Sequence, residues 1–290
     1  MIKRTLEISN PAYLKVRQQQ LIIEREQEVI AQVSIEDIGV LLISHKQVAL
    51  SHAVIQKCAE AKAVIVHCNS KYLPVSLTLP LSSHSLHTKV LREQVGLNTV
   101  RRKQLWQKIV QVKVAEQALT LERLNKPSIS LQAMVKKVKS DDSTNIEAQA
   151  AQKYWKLLVD KDFKRDPDLE GLNSLLNYGY AILRALVARA IVVTGFHPAL
   201  GLNHSNQYNP YCLADDLMEP FRPWVDECVL GLDDEQMSLH NKRALLELLA
   251  TEVNYQDKKQ PLMVAISLLA AQLKQAYTDK DLILDFPTRL

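Results

Sequence analysis

A loop histidine followed closely by a run of carboxylates is the part of the sequence best suited to chemistry. His204 lies in a turn-rich stretch of glycine, asparagine and serine, and Asp215, Asp216 and Glu219 follow at the start of a predicted helix. Asp216 and Glu219 are three residues apart, so on a helix they share one face. Two carboxylates beside an imidazole are unfavourable unless a cation lies among them. The pattern therefore predicts a site for a divalent metal ion.

Each of these residues also has an ordinary structural interpretation. A loop histidine such as His204 usually forms hydrogen bonds with its polar neighbours, and Asp215 and Asp216 are residue types that cap helix N-termini. Glu219 precedes Pro220, which is typical of a kinked helix. Taken one at a time, these interpretations are the commoner ones, and spacing alone does not bring distant residues together.

Composition favours a helical intracellular protein. The chain has 290 residues, 47% of them hydrophobic, with only 7 glycines, which disfavours an all-β protein or a glycine-rich nucleotide fold. Its N-terminus lacks the apolar core of a signal peptide, and we expect no apolar, uncharged stretch long enough to span a membrane. We therefore expect a cytoplasmic protein with no membrane contact. The four cysteines form no CxxC pair, so a zinc site is not predicted: Cys58, Cys68, Cys212 and Cys228.

Charge is distributed unevenly along the chain. Residues 101–140 hold 10 Lys and Arg against 2 Asp and Glu, whereas residues 141–290 hold 15 against 22. A basic segment before an acidic one suggests a surface for a polyanion followed by a site for metal ions. A solvated helix face is the alternative. The candidate DNA-binding residues are Arg101, Arg102, Lys103, Lys136, Lys137, Lys139, Lys153, Lys164, Arg165 and Arg222.

The chain divides into a β-rich start and a helical remainder. Short alternating or continuous apolar runs predict strands at 12–17, 20–24, 28–34, 38–44 and 63–67, with a helix at 52–61. Two prolines and small polar residues between positions 73 and 84 predict irregular structure and a domain boundary. We therefore expect an α+β protein, with a small N-terminal β-rich domain (1–82) followed by a larger all-α C-terminal domain (83–290).

Helical periodicity dominates the second part. In the segment 100–119, an apolar stripe is predicted on one face and Lys113 is predicted to lie away from it; the stripe residues are Leu105, Ile109, Val112, Ala115 and Leu119. Further helices are predicted at 169–194, 211–230, 236–253 and 261–277. On such a helix Arg222 could grip a phosphate or pair with Asp226.

Several motifs, in order, resemble one known family. The segment Leu213-Ala-Asp-Asp-Leu-Met-Glu-Pro-Phe-Arg-Pro223, preceded by His204, is similar to the signature of CRISPR-associated protein one, the integrase of CRISPR adaptation. Asn173-Ser-Leu-Leu-Asn-Tyr-Gly-Tyr-Ala-Ile-Leu-Arg184 is similar to its central helix, and Glu147 matches its first acidic ligand. The opening Met1-Ile-Lys-Arg-Thr-Leu6 and the later Asn10-Pro-Ala-Tyr-Leu14 resemble variants found beside type II effector nucleases.

The resemblance implies a metal-dependent DNA integrase and endonuclease. It assigns Glu147, His204 and Glu219 as catalytic metal ligands, with Asp216 as a further candidate. Oxygen ligands suit Mg²⁺, and an imidazole shifts the preference toward Mn²⁺, so either ion is expected to serve. The implied reaction inserts short captured DNA (spacers) into the CRISPR repeat array by attack of a 3′-hydroxyl on a phosphodiester.

The resemblance also implies partners. These are a homodimer formed through the N-terminal domains, the small second CRISPR adaptation protein, and the type II effector nuclease, in a prokaryotic cell. Two other functions stay open at this point. One is a repair nuclease that cuts branched DNA with the same metal site, and the other is a DNA-binding scaffold whose carboxylates only cap helices.

Overall fold

Two four-stranded sheets form the N-terminal part, close to where the apolar runs predicted strands. The computed structural model describes residues 3–70, 72–81, 84–166 and 168–290. The first sheet has the order β1-β5-β7-β8 and the second β4-β3-β2-β6. Their elements are β1 (Arg4–Ile8), β2 (Ala12–Arg17), β3 (Gln20–Arg25), β4 (Glu28–Ser34), β5 (Ile38–Ile43), β6 (Val48–Leu50), α1 (His52–Glu60), β7 (Val64–Cys68) and β8 (Pro74–Thr78).

The strands β5 and β7 are buried on both faces, as their continuous apolar sequences predicted. Leu41 and Ile65 face the second sheet and α1 in one apolar cluster. Val40 and Val64, one position away on the same strands, point to the opposite face and join the core of the helical part. Because side chains alternate along a strand, two parallel neighbours such as these can serve both cores.

The strand β8 corrects one prediction for this region. It pairs antiparallel with β7 inside the segment predicted to be irregular. Pro74 opens the strand, a position that tolerates the missing N–H. The predicted boundary after residue 82 falls on Ser82 and Ser83, which lie outside the described residues.

The described residues form ten α-helices, and nine of them lie in the second part of the chain, which confirms the α+β class. They are α2 (His87–Val95), α3 (Thr99–Arg123), α4 (Ile129–Val135), α5 (Ile146–Leu158), α6 (Leu172–Val193), α7 (Cys212–Met218), α8 (Arg222–Leu230), α9 (Leu239–Glu247) and α10 (Leu262–Thr278). A 3₁₀ turn, Glu219–Phe221, joins α7 to α8.

A small sheet interrupts the helical part and corrects the prediction of a helix over 236–253. The strands β9 (Glu252–Tyr255) and β10 (Lys258–Pro261) form a hairpin, and β11 (Thr288–Arg289) adds to the other edge of β9. The turn residues Gln256 and Asp257 both have positive φ, as a two-residue hairpin requires. Neither is glycine, so the turn carried no obvious signal.

The buried face of α3 differs from the predicted stripe. Ala115 and Leu119 are exposed, whereas Lys113, Glu116 and Gln117 are buried. The helix is surrounded by α4, α5, α7 and α8 rather than packed on one side, and polar partners meet it from these neighbours. The prediction that Lys113 lies away from the core was therefore wrong.

The helix α6 runs through the centre of the helical core. By length and composition it is the one described helix that could cross a membrane, contrary to the expectation that no such stretch exists. However, 67% of its apolar window is buried inside the protein, as expected for a core helix. Arg189 within it is buried and donates a hydrogen bond to the carbonyl of Lys62.

Replacing Gly179 with alanine should destabilise the fold. Gly179 lies where α6 crosses its neighbours, and an added Cβ would collide with Val225 of α8 and lie 3.2 Å from Leu245 of α9. We expect a loss of about 1–2 kcal/mol, because overpacking outweighs the gain in helix propensity. Urea denaturation measures this. Gly231→Ala is the matched control, since its Cβ would meet no atom closer than 3.5 Å; equal effects of both variants would contradict the packing argument.

Candidate metal centre

A buried lysine joins the two glutamates of the predicted site. Lys113, in the middle of α3, has a side chain only 11% exposed. Its Nζ lies 2.6 Å from Oε1 of Glu147 and 2.5 Å from Oε2 of Glu219. Burial opposes the charged ammonium, but attraction to Glu219 and then to Glu147 outweighs burial and raises the pKa of Lys113. Two carboxylates from different elements thus meet at one positive charge.

Glu147 is held in place by the start of α5. The carboxylate of Asp142 accepts hydrogen bonds from the backbone N–H groups of Ile146 and Glu147, at 2.8 and 2.9 Å. Asn145, immediately before the helix, has a left-handed backbone and caps nothing with its side chain. Asp142 therefore satisfies the free donors of the first turn and orients it, so that the Glu147 side chain reaches α3.

Glu219 is buried at the turn between α7 and α8. Its Oε1 accepts a 2.7 Å hydrogen bond from Nε of Arg222, so Arg222 pairs with Glu219 rather than with Asp226, one of the two alternatives left open for it. Burial alone would raise the pKa of Glu219, but the attraction of Arg222 and then of Lys113 lowers it to about 2. Glu219 is therefore a carboxylate throughout the neutral and mildly acidic range.

Asp216 holds the loop that carries His204. Its carboxylate is fully buried and accepts hydrogen bonds from the backbone N–H groups of Leu202, Asn203 and His204, at 2.5, 3.1 and 3.1 Å. Its Oδ1 also lies 2.7 Å from Nδ1 of His204, a hydrogen bond that raises the pKa of the imidazole. Asp216 therefore acts on the site through His204.

Gly201 allows this loop to close. A Cβ at this position would lie 2.7 Å from Oδ2 of Asp216 and would collide with the carbonyl oxygen of His204. The neighbouring Asp215 holds the other side of the loop, since it binds Arg184 and Asn209 rather than the histidine. The glycine, asparagine and aspartate residues of the motif thus have separate positioning tasks.

The donors present suit a divalent cation, although the described residues form no ready-made cage. Among them, no three His, Cys, Asp or Glu side chains are arranged to hold a metal ion. Yet two carboxylates already converge on one cation, and His204, fixed through Nδ1, leaves Nε2 as the nitrogen available for a ligand. Oε2 of Glu219 accepts no hydrogen bond of normal geometry from the described residues, despite the contact with Lys113. Carboxylate oxygens and a neutral imidazole fit Mg²⁺ or Mn²⁺.

The predicted DNA-binding residues fall into two groups. Six of them contact other parts of this chain. Arg101 binds the carbonyl oxygens of Ala276, Asp279 and Leu282, and Arg102 binds that of Leu202. The other four of these six bind side chains: Lys103 pairs with Asp141, Lys164 with Asp166 and Arg222 with Glu219, and Arg165 binds the amides of Asn173 and Asn177. The other four are exposed: Lys136, Lys137, Lys139 and Lys153. Arg101 in particular fastens the C-terminal segment to α3.

A cavity beside the glutamates contains an acidic group that the sequence did not reveal. It has a volume of about 350 Å³, and Lys113, Trp155 and Glu219 lie on its wall. At its edge Asp226 is buried and accepts hydrogen bonds from the hydroxyls of Tyr154 and Tyr180. Burial raises the pKa of Asp226 to about 7, although both tyrosines oppose the shift. Only its place one turn beyond Arg222 could have drawn attention to it.

Asp226 is expected to make the protein less stable as the pH rises from about 4 to about 7. The pKa of Asp226 in the folded state exceeds the ordinary 3.8, so the folded state binds the proton more tightly than the unfolded state does. Protonation of Asp226 therefore stabilises the fold fully below pH 3.8, and this contribution is lost as the pH rises past about 7. Asp226→Asn removes the dependence. The free energy of unfolding of the variant relative to wild type should rise by up to about 4 kcal/mol between pH values of about 4 and 8. Urea titrations giving a pH-independent difference would contradict this.

A family model and a curated relative indicate one family, and two solved structures share the fold. The family model described as CRISPR associated protein Cas1 matches residues 8–242. A CRISPR-associated endonuclease Cas1 of Neisseria meningitidis is 32% identical over 288 residues, which cover 97% of this chain and 94% of that protein. A casposase bound to integration product superposes with a TM-score of 0.79 at 23% identity, over 99% of this chain and 93% of that one. A chain of a Cas6-RT-Cas1–Cas2 complex gives a TM-score of 0.73 at 18% identity, over 96% of this chain and 35% of that one.

Proposed function

The chain belongs to the Cas1 family, and from that premise we propose that Glu147, His204 and Glu219 form the centre at which it acts on DNA. It is an endonuclease and integrase of CRISPR adaptation. The observation that carries the assignment of the site is the convergence of Glu147 and Glu219 on one cation position. His204 is close enough to help lower the pKa of Glu219.

The reaction is a phosphodiester transfer. A 3′-hydroxyl oxygen of the captured DNA bonds to a phosphorus atom of the repeat, the bond from that phosphorus to its original 3′-oxygen breaks, and the proton lost by the attacking hydroxyl balances the one gained by the leaving oxygen. A divalent cation, Mg²⁺ or Mn²⁺, bound by Glu147, His204 and Glu219 would neutralise phosphate charge and make the hydroxyl more acidic. In endonuclease action, water replaces the attacking hydroxyl.

The surrounding residues orient the centre. Asp216 fixes the loop backbone and holds the imidazole through Nδ1, which favours the tautomer with Nε2 available. Arg222 holds Glu219 through Nε and stacks on Tyr180, with its guanidinium carbon 4.7 Å from the ring centre. Since one edge of a guanidinium remains when Nε is engaged, we assign Arg222 to a phosphate of the bound strand.

We assign the exposed lysines to the surface along which DNA binds. Lys136, Lys137 and Lys139 follow α4, and Lys153 lies on the α5 helix that carries Glu147. Phosphate contacts by such residues are independent of sequence and weaken with salt. Arg101 and Arg165 already bind backbone or amide oxygens of this chain, so we assign them mainly to holding the fold.

We propose the protein partners of this chain from its family membership. The small second adaptation protein, Cas2, is the proposed partner, because a structural neighbour of this chain is part of a Cas1–Cas2 complex. The N-terminal sheets are the proposed dimer interface. Val29 and Ile30, each 49% exposed, lie on the outer strand β4 and support this assignment. An edge strand with exposed apolar side chains is suited to pairing with another chain.

We place the reaction in the prokaryotic cytoplasm, where captured DNA and the repeat array would both be present. The fold class and the family are compatible with that setting. The resemblance of the first residues to variants found beside type II effector nucleases makes such a nuclease a further proposed partner. Co-purification of the tagged chain with the effector, with and without nuclease treatment, tests that contact.

A joining assay tests the proposed function. The purified protein, with and without Cas2, is incubated with short duplex DNA and a supercoiled plasmid that carries the repeat, in Mn²⁺, Mg²⁺ or EDTA. We expect joining in either metal, none in EDTA and none with His204→Ala. Cutting of branched DNA without joining would instead support a repair nuclease. Binding without any reaction, in every metal and with Cas2 present, would support a scaffold.

A further inference from the structure

Lys113 stands where the proposed centre needs a cation. Its ammonium is nearly buried, and it contacts one carboxylate oxygen of Glu147 and one of Glu219. The apolar neighbours Val110 and Val114 on α3 pack in the main core. A lysine buried among such residues is costly unless its charge is matched, and here two carboxylates from outside the helix match it.

The four charged side chains joined through Lys113 and Glu219 balance one another without a metal ion. Lys113 and Arg222 contribute two positive charges, and Glu147 and Glu219 contribute two negative ones. A divalent cation added between the same carboxylates would leave the buried group strongly positive and would face the ammonium at close range. The lysine and the metal ion therefore compete for one place.

We propose that Lys113 is the internal counter-ion of the metal-free centre, and that its ammonium withdraws from between Glu147 and Glu219 when a divalent cation binds. This inference rests on the proposed metal-dependent function. In the metal-free state the lysine relieves the repulsion between the two carboxylates and keeps them aligned. Lys113 is thus a positioning residue, and its positive charge lowers the affinity of the centre for metal.

The structure offers the withdrawn side chain a place to go. Lys113 borders the cavity of about 350 Å³, and Gln117 lies on the same wall, one helical turn further along α3. Gln117 is 3% exposed, and its Oε1 accepts no hydrogen bond from the described residues. A buried acceptor without a donor is unfavourable, so it is suited to receive the ammonium.

Metal affinity without DNA tests the proposal. Mn²⁺ binding is measured by electron paramagnetic resonance of the free ion and by the metal-induced rise in melting temperature. Lys113→Met should bind Mn²⁺ at least about tenfold more tightly than wild type and should be less stable without metal. Lys113→Arg, which keeps the charge, should not gain affinity. Lys108→Met, which removes a lysine from the same helix, is the matched control and should match wild type.

A second measurement uses wild-type protein and does not depend on the folding of a variant. With ¹³C-labelled lysine side chains, one Cε signal, assigned by its absence from Lys113→Arg, should shift when Mg²⁺ saturates the protein. A signal that stays unmoved, or a folded Lys113→Met that binds Mn²⁺ no more tightly, would overturn the proposal. If wild type neither binds Mn²⁺ nor joins DNA, the proposed function itself fails. If it does both while Lys113→Met shows no gain, only the role of Lys113 fails.

Discussion

Glu219→Gln is expected to lower the rate of metal-dependent joining severely and to destabilise the fold to a lesser extent, since Lys113 and Arg222 lose a buried partner. The substitution keeps the shape of the side chain but removes the charge that Lys113 and Arg222 stabilise. A metal ion supplies several kcal/mol of charge stabilisation in such reactions, and about 4 kcal/mol corresponds to a rate loss of about a thousandfold. We therefore expect a loss of that order in the joining rate and a fall in Mn²⁺ affinity. Joining kinetics and metal titration measure the two effects.

The matched control for this variant is Glu227→Gln. Glu227 lies on α8 and pairs with two arginines, Arg123 and Arg289, and among the described residues it forms no ion pair with Lys113. Its loss should change stability and leave joining within about threefold of wild type. If Glu219→Gln joined DNA at the wild-type rate, Glu219 would not be a ligand and the proposed centre would lie elsewhere. A parallel fall in both variants would point to stability alone.

The spacing of the carboxylates predicted a shared site, and the structure divides its members between two tasks. Asp216 and Glu219 are three residues apart, yet Asp216 turns to the loop backbone and Glu219 turns to α3. The break into a 3₁₀ turn at Glu219 and Pro220 separates them. Periodicity assumes a regular helix, so it could not distinguish Glu219, the proposed metal ligand, from Asp216, which holds the loop of His204.

Lys113 was missed because a sequence pattern shows only what surrounds a residue along the chain. Its neighbours on α3 predicted a solvent-facing charge, and its partners come from α5 and the turn after α7. The same holds for Asp226, whose pKa is raised by burial between distant elements and lowered in part by tyrosines of α5 and α6. Polar residues in a core are set by contacts between distant elements, which single-sequence periodicity does not contain.

The N-terminal strands were easier to predict than the late hairpin. Strands with continuous apolar sequences, such as β5 and β7, are stable only inside a sheet that is covered on both faces. The hairpin of β9 and β10 has a weak alternation, and its turn at Gln256 and Asp257 lacks the glycine that marks most such turns. Its third strand comes from Thr288–Arg289, which pairs over a long sequence distance that local pattern cannot reveal.

Asp216→Asn is expected to damage both the stability and the metal affinity of the protein. The carboxylate accepts four contacts from the loop, three from backbone N–H groups and one from Nδ1 of His204. An asparagine has one acceptor oxygen, and its NH₂ group would face a donor. Unsatisfied buried donors cost about 1–3 kcal/mol each, so we expect a loss of about 2–5 kcal/mol in the free energy of unfolding.

The effect on metal binding follows from the imidazole rather than from a lost ligand. The carboxylate beside Nδ1 of His204 favours the tautomer that carries the proton on Nδ1 and keeps the lone pair on Nε2; without it, both tautomers become accessible. Loss of such a partner lowers metal affinity by about 10–100-fold. Titration with Mn²⁺ measures the affinity, and ¹⁵N shifts of the His204 ring report the tautomer.

Asp215→Asn separates this effect from a general loss of stability. Asp215 is also a buried aspartate of the same motif, but it binds Arg184 and Asn209 and makes no contact with His204 in the part of the chain that the structure describes. It should therefore lower stability while changing the tautomer of His204 much less. If Asp216→Asn kept the wild-type tautomer and Mn²⁺ affinity, the imidazole would be oriented by other groups. If the affinity fell while the tautomer was unchanged, Asp216 would itself be a ligand, the alternative that its place beside Glu219 first suggested.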